Sequence, residues 1–453
     1  MDFRDYLDLL ERSGQLLKVK KSIAPRFEIA AGLRKSCDMA GPALFFENIK
    51  GYPGWRVAGG LYGTQMLMAL ALGLPAETDE PGILKRYLEF DQQRIKPRLV
   101  SSGPVKDIVL KGKDIDLNKL PIPVYSELDS GPYLTAGVEI GRSRRTGVQN
   151  ASMHRRQIVG KNRTAILAGG YQHLGKLIRE AEADGQGLQI ATVIGAPTEL
   201  TIACQIDAPE GVDEAEIAGA IRGAPLKFVK CETIDVEVPA DAEIIIEGIT
   251  VPGEKVVDGP FGEFPGNYIT LLNETQSRVP VIEVTAITMR RDPIFQAMLT
   301  GAPMTDNHYL KKWALAAAAY RAISDVADIR GINCTVGGAA AYHLVVAINK
   351  QNGSDPQAIV NALTAARRSP KLLIIVDDDI NIYNPIDVEW AIATRVKADK
   401  DIAILPSITP SSDSAGNVVR RFAVCCIDAT VPVAQKKWYQ RICIPGSNEV
   451  DYL

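Results

Sequence analysis

Short runs of alternating apolar and polar residues fill the middle of the chain. Seven such runs lie between residues 105 and 300 and are separated by Gly, Pro and Asp turns: 107–112, 134–143, 188–195, 200–207, 233–239, 242–251 and 280–289. Alternation with a period of two predicts half-buried strands, and short strands joined by regular turns are typical of β-barrels. Two helical segments, 173–185 and 213–223, interrupt the runs. The pattern predicts a central β-barrel-like domain.

The pattern changes on both sides of this region. Before it, the apolar spacing predicts helices at 1–14, 28–41 and 80–92 and a strand at 43–49. After an alanine-rich helix at 307–324, strands predicted at 327–336, 342–349, 371–379 and 401–408 alternate with helices predicted at 355–369 and 387–396. This rhythm indicates a doubly wound α/β domain. The tail, 431–446, is predicted to form a final helix, as an arm for a partner subunit.

Together these patterns predict an α/β (α+β) multidomain protein. The predicted parts are an N-terminal α/β part (1–110), a central β domain (111–305), a linking helix (306–327), a C-terminal α/β domain (328–430) and a tail (431–453). A chain of 453 residues is also too long for one compact core.

Composition narrows the class of protein. Apolar residues make up 46%, charged residues 23% and the net charge is -3, so nothing favours nucleic acid or an anionic membrane as partner. The seven cysteines include no CxxC pair, which favours reduced thiols in a cytoplasmic protein over a disulfide framework. The first residues predict an acidic amphipathic helix rather than a signal peptide.

Two carboxylates bracket one glycine- and proline-rich turn, Asp258-Gly-Pro-Phe-Gly-Glu263. In isolation such a turn is typical of a solvated loop. However, Phe261, Phe264 and Pro265 surround Glu263 with apolar neighbours, and burial raises the pKa of a carboxyl group toward the range of a general acid. We therefore predict that the turn carries catalytic carboxylates.

A polar stretch about a hundred residues earlier, Asn150-Ala-Ser-Met-His-Arg155, supplies an arginine that can meet this turn. At strand period Asn150, Ser152 and His154 share one face and Arg155 lies on the other. Hence a bulge or turn is needed before Asn150 and Arg155 can line one pocket. The alternative is that this basic stretch is a solvated face.

Three further residues suggest a metal site. His173 and Glu214 each stand at a predicted helix start, and together with Asn150 they form a hard ligand set suited to Mn²⁺ or Mg²⁺. The alternative is that His173 caps or packs at its helix start, where such a histidine is more often found than as a ligand, and that the helix dipole favours Glu214 at its position. The triplet Asp377–Asp379 ends a predicted strand without a glycine-rich phosphate loop, so we interpret it as structural or interfacial. The chain also lacks GxSxG and HExxH.

The chain resembles the UbiD family of decarboxylases that use prenylated FMN. The similarity covers nearly the whole chain, and the matching pieces occur in the family's order: Asn150–Arg155, Tyr171-Gln-His173, Gly211-Val-Asp-Glu214, 229–248, Asp258–Glu263 and 371–381. The resemblance implies a central split β-barrel that binds flavin and a C-terminal α/β domain used for oligomerisation, as a dimer or hexamer.

The resemblance also implies roles for individual residues. Arg155, Asp258 and Glu263 would be the catalytic residues, although the family often has glutamate where this chain has Asp258. Asn150, His173 and Glu214 would hold Mn²⁺ (or Mg²⁺), and K⁺ would bind to backbone oxygens around 203–206 with Glu214. The implied cofactor contacts are Asn150, Ser152, Met153, Arg155, Gln172, His173 and Lys371.

Leu299, Thr300 and His308 fall where the family's substrate pocket is lined. A histidine there suggests a polar ring, such as a hydroxybenzoate or a heteroaromatic acid. The alternative is that His308 belongs to the cap of the linking helix after Asp306 and Asn307.

The implied activity is reversible, non-oxidative decarboxylation of an aromatic or heteroaromatic (α,β-unsaturated) acid through a covalent adduct with prenylated FMN. A prenyl-FMN synthase would supply the cofactor, and Glu263 would return the proton. Two alternatives remain: a flavin-binding assembly subunit whose catalysis lies in a partner chain, and a metal-dependent hydrolase that uses Asn150, His173 and Glu214.

Overall fold

The computed structural model describes residues 1–90, 93–170, 172–268, 278–350, 356–366, 368, 370–406, 423–442 and 444–445. These residues form two compact units. The first comprises Met1–Ala317 with Val336–Ala341, and the second comprises Ala318–Thr335 with the described residues from Tyr342 onward. Tyr171, Cys443 and the ends of several predicted elements (91–92, 355, 367, 369, 407–408, 446) lie outside the described residues.

Helices and strands of the first unit follow one another in mixed order. Its helices are α1 (Phe3–Arg12), α2 (Glu28–Asp38), α3 (Gln65–Ala71), α4 (Glu80–Glu89), α5 (His173–Ala183), α6 (Thr198–Ala203) and α7 (Glu214–Arg222), and α8 (Asp306–Ile323) begins in it. Its strands are β1 (Leu16–Val19), β2 (Ala43–Phe46), β3 (Arg56–Gly59), β4 (Arg98–Leu99), β5 (Ile108–Lys111), β6 (Tyr133–Leu134), β7 (Val138–Arg142), β8 (Gln149–Met153), β9 (Arg156–Gly160), β10 (Arg163–Ile166), β11 (Gln189–Ile194), β12 (Lys227–Lys230), β13 (Glu237–Pro239), β14 (Ile244–Val257), β15 (Arg278–Met289) and β16 (Ile294–Gln296).

Local sequence explains where the helices begin. At α1 the side chain of Asp2 accepts from the backbone of Asp5, whose side chain binds the Asp2 backbone in return, and this capping box fixes the first turn. The buried residues Phe3, Tyr6, Leu7 and Leu10 then lie along one face of the helix. At α7, Asp213 caps the first turn and Gly223 ends the helix with a left-handed φ of 73°.

A nine-stranded sheet positions the candidate site. Its strands lie in the order β6-β9-β10-β15-β14-β11-β7-β8, and β5 pairs with β15. The long strands β14 and β15 form its antiparallel centre. Among the described residues no ladder joins β8 to β6, so the sheet is an open path there rather than a closed ring. The predicted β domain is therefore present, while its split-barrel form stays a prediction.

The main apolar core covers one face of this sheet. Ile244 and Ile246 of β14 cluster there with Leu33 of α2, Phe46 of β2 and Phe295 of β16. A second sheet, in the order β1-β2-β3-β16, contributes the last two side chains. Burial of this apolar surface joins the N-terminal elements to the central sheet.

One predicted strand is wrong. Residues 200–207 were expected to form a strand, but the segment begins inside α6 and its helical part is buried on every side. A short helix that is buried on every side has no exposed face, so its sequence shows no period that separates helix from strand. The strands β8, β9 and β10 were not predicted as separate strands.

The second unit contains a five-stranded mixed sheet. Its strands are β17 (Ile329–Cys334), β18 (His343–Ile348), β19 (Leu372–Asp377), β20 (Ile402–Pro406) and β21 (Ala423–Ala429), in the order β17-β18-β19-β21-β20. Its helices are α9 (Pro356–Ala365), α10 (Pro385–Arg395) and α11 (Ala398–Asp401). The three central strands are parallel, as a doubly wound domain requires, but β17 and β20 are antiparallel edge strands.

Two further predictions concern the second unit. The tail helix is wrong, because the described residues of the tail contain a 3₁₀ helix, Val433–Trp438, and no α-helix. Asp377 and Asp379 both pair with Arg395, at 3.1 and 2.5 Å, which gives these acids a structural role.

The cysteines of the described chain are free thiols. No helix within the described ranges has the length and apolar character to cross a membrane.

Candidate active site

The turn that carries the two carboxylates follows directly after β14. Asp258 is buried, and Gly259 takes a φ of 83° that a residue with a Cβ adopts only with strain. Asp129 holds the turn: its Oδ1 accepts from the amide of Gly262 at 2.9 Å, and its Oδ2 accepts from the amide of Ser126 at 2.8 Å. The turn is thus fixed by backbone hydrogen bonds to a buried carboxylate.

Arg155 meets this turn as predicted. Strand β8 ends at Met153 and β9 starts at Arg156, so the break in strand geometry turns the Arg155 side chain out of the alternation. Its Nη2 lies 2.6 Å from Asp258 Oδ2, and its Nη1 lies 2.7 Å from Glu263 Oε1. One guanidinium therefore joins both carboxylates.

The two carboxylates occupy different environments. The side chain of Asp258 is 3% exposed and that of Glu263 is 17% exposed, so Glu263 is the one a ligand can reach. Burial raises the pKa of Glu263, and the neighbouring charge of Asp258 raises it further, while Arg155 acts in the opposite direction without cancelling the rise. Glu263 is thereby suited to exist as an acid that donates a proton.

Aromatic rings complete this cluster. The Arg155 guanidinium lies 4.8 Å from the centroid of the Phe261 ring, and Phe261 packs against Tyr133 at 4.5 Å. Desolvation lowers the pKa of Arg155, but the charges of Glu263 and Asp258 raise it by more, so it stays charged. The cation is fixed by an aromatic ring and two anions.

His308, at the start of α8, borders the same turn. Its Nδ1 lies 2.8 Å from Thr305 Oγ1, its Nε2 lies 2.9 Å from the Phe264 carbonyl, and its ring stacks on Phe264 at 4.3 Å. Both nitrogens are therefore engaged within the protein, which fits the helix-cap alternative better than ligand recognition. Of the other two predicted pocket residues, Leu299 is buried in the main core, and Thr300 Oγ1 accepts from Asn307 at 3.1 Å.

Asn150 and Glu214 are in direct contact. Glu214 Oε1 accepts from Asn150 Nδ2 at 3.0 Å, and Oε2 accepts from the amide of Ala151 at 2.7 Å. Burial raises the pKa of Glu214 to about 7, against the hydrogen bonds that favour its anion. A buried carboxylate of this kind is stabilised by a cation.

His173 and Asn150 line the same cavity, which has a volume of about 270 Å³. The cavity is lined by Asn150 and His173, by the cations Arg145 and Lys176 and by the carboxylates Glu180 and Glu210, and Glu210 pairs with Lys176 at 2.7 Å. Gln172, which precedes α5, accepts from the amide of Gly169 at 2.6 Å and so fixes the start of the helix. Within the described residues Arg145 forms no ion pair, so the cavity offers one available cation beside two donors that a divalent ion can bind.

The hydrogen bonds around Asn150 leave its side-chain oxygen available to a metal ion. His154 Nδ1 lies 3.0 Å from the Leu167 carbonyl, which can only accept, so a neutral His154 carries its proton there. Burial lowers the pKa of His154 to about 4, so it is neutral at pH 7. Its Nε2 then accepts the one hydroxyl proton of Ser152, 3.1 Å away. Asn150 Oδ1, 3.2 Å from Ser152 Oγ, is left free to bind a cation.

The described residues contain no group of three His, Cys, Asp or Glu that could hold a metal. A metal here would consequently need the amide oxygen of Asn150 as well as His173 and Glu214. Asn150 shares a cavity with His173 and a hydrogen bond with Glu214, and this is the observation that supports a site for such an ion.

Of the remaining predicted site residues, Met153 and the segment 203–206 belong to the first unit, and Lys371 belongs to the second. Met153 Sδ accepts from Gln205 Nε2 at 2.8 Å, beside the predicted K⁺ segment. The charge of Glu214 contributes, after burial, to raising the pKa of Cys204, so this carboxylate and that segment are close. Lys371 precedes β19 in the second unit, and its contact with a phosphate stays a prediction.

Two residues of the site were not predicted. Asp129 follows Ser-Glu-Leu, a turn-like sequence that gives no sign of its contact with Gly262. Lys311 lies one helical turn beyond His308, with its Nζ 4.5 Å from the Phe264 ring centroid. The spacing i, i+3 on a predicted helix was the available signal for Lys311.

Comparison with known protein families accounts for almost the whole chain. Residues 7–87, 98–303 and 308–429 match the N-terminal, Rift-related and C-terminal domains of 3-octaprenyl-4-hydroxybenzoate carboxy-lyase, UbiD. A curated relative, the anhydromevalonate phosphate decarboxylase of Methanosarcina mazei, is 34% identical over 98% of this chain and 100% of its own length.

Solved structures show the same relationship. The UbiD-class enzyme HmfF of Pelotomaculum thermopropionicum, in complex with FMN, has a TM-score of 0.89 and 36% identity over 100% of both chains. An evolved dimeric form of it, in complex with prenylated FMN, has a TM-score of 0.87, 36% identity and coverage of 100% and 99%. Vanillic acid decarboxylase of Sedimentibacter hydroxybenzoicus has a TM-score of 0.85 and 28% identity, with coverage of 99% and 96%. This chain is a member of the UbiD family and a carboxy-lyase.

Proposed function

We propose that this chain catalyses reversible, non-oxidative decarboxylation of an aromatic, heteroaromatic or other α,β-unsaturated acid with prenylated FMN. The observation that carries the proposal is the buried Arg155, which joins Asp258 and Glu263 at 2.6 and 2.7 Å. A passive flavin carrier has no need of such a cluster, and hydrolysis by a metal-bound water assigns it no task.

Loss of CO₂ from such an acid leaves a carbanion that water alone does not stabilise. Prenylated FMN, when bound, supplies an electron sink for those electrons. The chain then has to orient the acid, exclude water and return a proton. Arg155 holds Glu263 in place, and Asp258 balances the positive charge of Arg155. Glu263, with its raised pKa, delivers the proton from its carboxyl oxygen to the carbon that lost CO₂.

The cofactor phosphate would lie in the cavity that Asn150, His173 and Arg145 line. Asn150, His173 and Glu214 would hold Mn²⁺ (or Mg²⁺) beside it, and the metal would offset its charge. K⁺ would bind at residues 203–206 with Glu214. Ser152, Met153, Gln172 and Lys371 complete the proposed cofactor contacts.

Partners and assembly follow the same reasoning. A prenyl-FMN synthase would supply the cofactor. A homo-oligomer is supported by exposed apolar side chains in the second unit, including Trp438 (76%) and Ile442 (94%). The split-barrel form of the central sheet is part of the proposal, since the related HmfF binds flavin on the same fold.

One experiment tests the activity. The protein is co-expressed with a prenyl-FMN synthase, the spectrum and mass of the bound chromophore are recorded, and CO₂ release is measured with a panel of acids. The panel contains hydroxybenzoates, vanillate, cinnamate, heteroaromatic acids and anhydromevalonate phosphate. We expect a modified flavin and CO₂ from at least one acid. Absence of both would reject the proposal.

A further inference from the structure

Lys311 reaches the candidate active site from α8. Its ammonium lies 4.5 Å from the centroid of Phe264, the residue that follows Glu263 in the turn. Burial raises the pKa of Glu263, and the charge of Lys311 opposes this rise. Burial lowers the pKa of His154, and the charge of Lys311 lowers it further. The ammonium is thus near the acid turn and near the strand end that carries Arg155.

The cation has no anionic partner within the described part of the chain. No carboxylate there lies within 4.0 Å of Lys311 Nζ, and Glu263 already pairs with Arg155 at 2.7 Å. The next residue behaves differently: Lys312 Nζ lies 2.6 Å from Glu80 Oε2. Desolvation lowers the pKa of Lys311 although the Glu263 charge opposes this, so the site disfavours its cation until an anion arrives.

The neighbouring histidine cannot take that role. Both ring nitrogens of His308 are bound, to Thr305 Oγ1 and to the Phe264 carbonyl. Of these two side chains, Lys311 is the one without a hydrogen bond or ion pair among the described residues, and its charge calls for a ligand with negative charge.

The carboxylate that leaves as CO₂ is a poor partner for such a cation. Negative charge moves off that group in the transition state, so an ammonium bound to it stabilises the ground state and slows the reaction. Binding energy from a part of the substrate that does not react raises the rate instead, because it positions the reacting end. A second anionic group on the substrate pairs with the Lys311 ammonium and keeps its charge in the transition state.

We propose that the acid processed by this chain carries a second oxyanion, phosphate or carboxylate, and that Lys311 binds it. The inference rests on the proposed decarboxylase function and names the substrate class of the same site. Substrates of this class have an α,β-unsaturated acid at one end and an anionic group at the other.

The test compares matched pairs of acids on the holoenzyme. The pairs are anhydromevalonate phosphate with anhydromevalonate, and 4-carboxycinnamate with cinnamate. For Lys311→Met we expect kcat/KM for the doubly anionic member of a pair to fall by about 10- to 100-fold relative to the monoacid, mainly through KM, since any change in the pKa of Glu263 affects both members alike. Lys311→Arg should recover much of the loss, and the exposed Lys85→Met serves as the control without effect. Equal losses for both members of each pair would overturn the inference.

A binding measurement separates this inference from the proposed function. Anhydromevalonate phosphate is titrated calorimetrically into the Glu263→Gln holoenzyme, with and without Lys311→Met. Weakening by about 10- to 100-fold supports anion recognition by Lys311 even if no acid were turned over, in which case only the decarboxylase proposal fails. Unchanged or undetectable binding in both proteins rejects anion recognition, whatever the turnover.

Discussion

Arg155 Nη1 lies 2.7 Å from Glu263 Oε1, and the same guanidinium is anchored on its other side by Asp258. Glu263 is consequently held by a cation whose position does not depend on Glu263 alone. Burial keeps the pKa of Glu263 raised despite this contact. The arrangement gives a positioned carboxyl group that can lose and regain a proton while its orientation is maintained.

Replacement of Asp258 should change the pH dependence of decarboxylation. The charge of Asp258 raises the pKa of Glu263, so Asp258→Asn lowers it. If protonated Glu263 is the active form, activity persists below its pKa and falls as pH rises through it. The descending limb of kcat against pH should therefore move to lower pH in Asp258→Asn. The exposed Asp184→Asn is the control, and an unmoved limb in both would contradict the assignment.

Loss of Asp129 should slow turnover without loss of cofactor. Asp129→Ala leaves the amides of Gly262 and Ser126 without their acceptor and loosens the turn that carries Glu263. We expect kcat to fall by about tenfold or more with a small change in KM, because each such hydrogen bond contributes about 1–3 kcal/mol when buried. Asp129→Asn keeps one acceptor oxygen and should be intermediate. Wild-type kcat in Asp129→Ala would show that the turn does not need this anchor.

Mn²⁺ affinity should depend on His154 through Ser152. In His154→Phe the Ser152 hydroxyl loses its acceptor and donates to Asn150 Oδ1, 3.2 Å away, where it competes with the metal. We expect Mn²⁺ binding, measured by electron paramagnetic resonance, to weaken by about tenfold. Ser152→Ala in the same protein removes the competing proton and should restore affinity. A double variant that binds Mn²⁺ as weakly as His154→Phe would contradict this assignment of the His154 and Ser152 protons.

Glu139 should make stability depend on pH. It is fully buried beside Arg156 and Thr192, and burial raises its pKa from 4.5 to about 7. A carboxyl group with a higher pKa when folded binds more protons when folded, so its stabilising contribution is complete below about 4.5 and is lost as pH rises toward 7. Between about pH 5 and about pH 8 the free energy of unfolding should fall by about 1–3 kcal/mol more in the wild type than in Glu139→Gln. Equal slopes in urea denaturation would exclude this group as the cause.

The sequence predicted the site better than the sheet that holds it. The contacts of Arg155 with Asp258 and Glu263 were expected, as was the need for a break before Arg155, which the end of β8 provides. Residues 200–207 were assigned to a strand because a helix turn that is buried on every side shows no periodicity.

Asp129 and Lys311 show why part of the site was missed. Asp129 acts on an amide 133 residues away, and Lys311 acts through a ring and a turn brought to it by the fold. Neither role has a local pattern, because each depends on a distance in space that only the packed structure defines. His308 shows the reverse error, since its position suggested recognition while both of its nitrogens are already bonded.

The most direct measurement of the central claim is decarboxylation by Glu263→Gln. The amide keeps the size of the side chain and a contact with Arg155, but it has no carboxyl proton to deliver. Flavin content, metal content and CO₂ release are measured on the same preparations of wild type and variant. We expect both to retain flavin and metal, and the variant to lose at least about 100-fold in kcat. Wild-type turnover in a fully loaded Glu263→Gln enzyme would contradict the assignment of Glu263 as the proton donor.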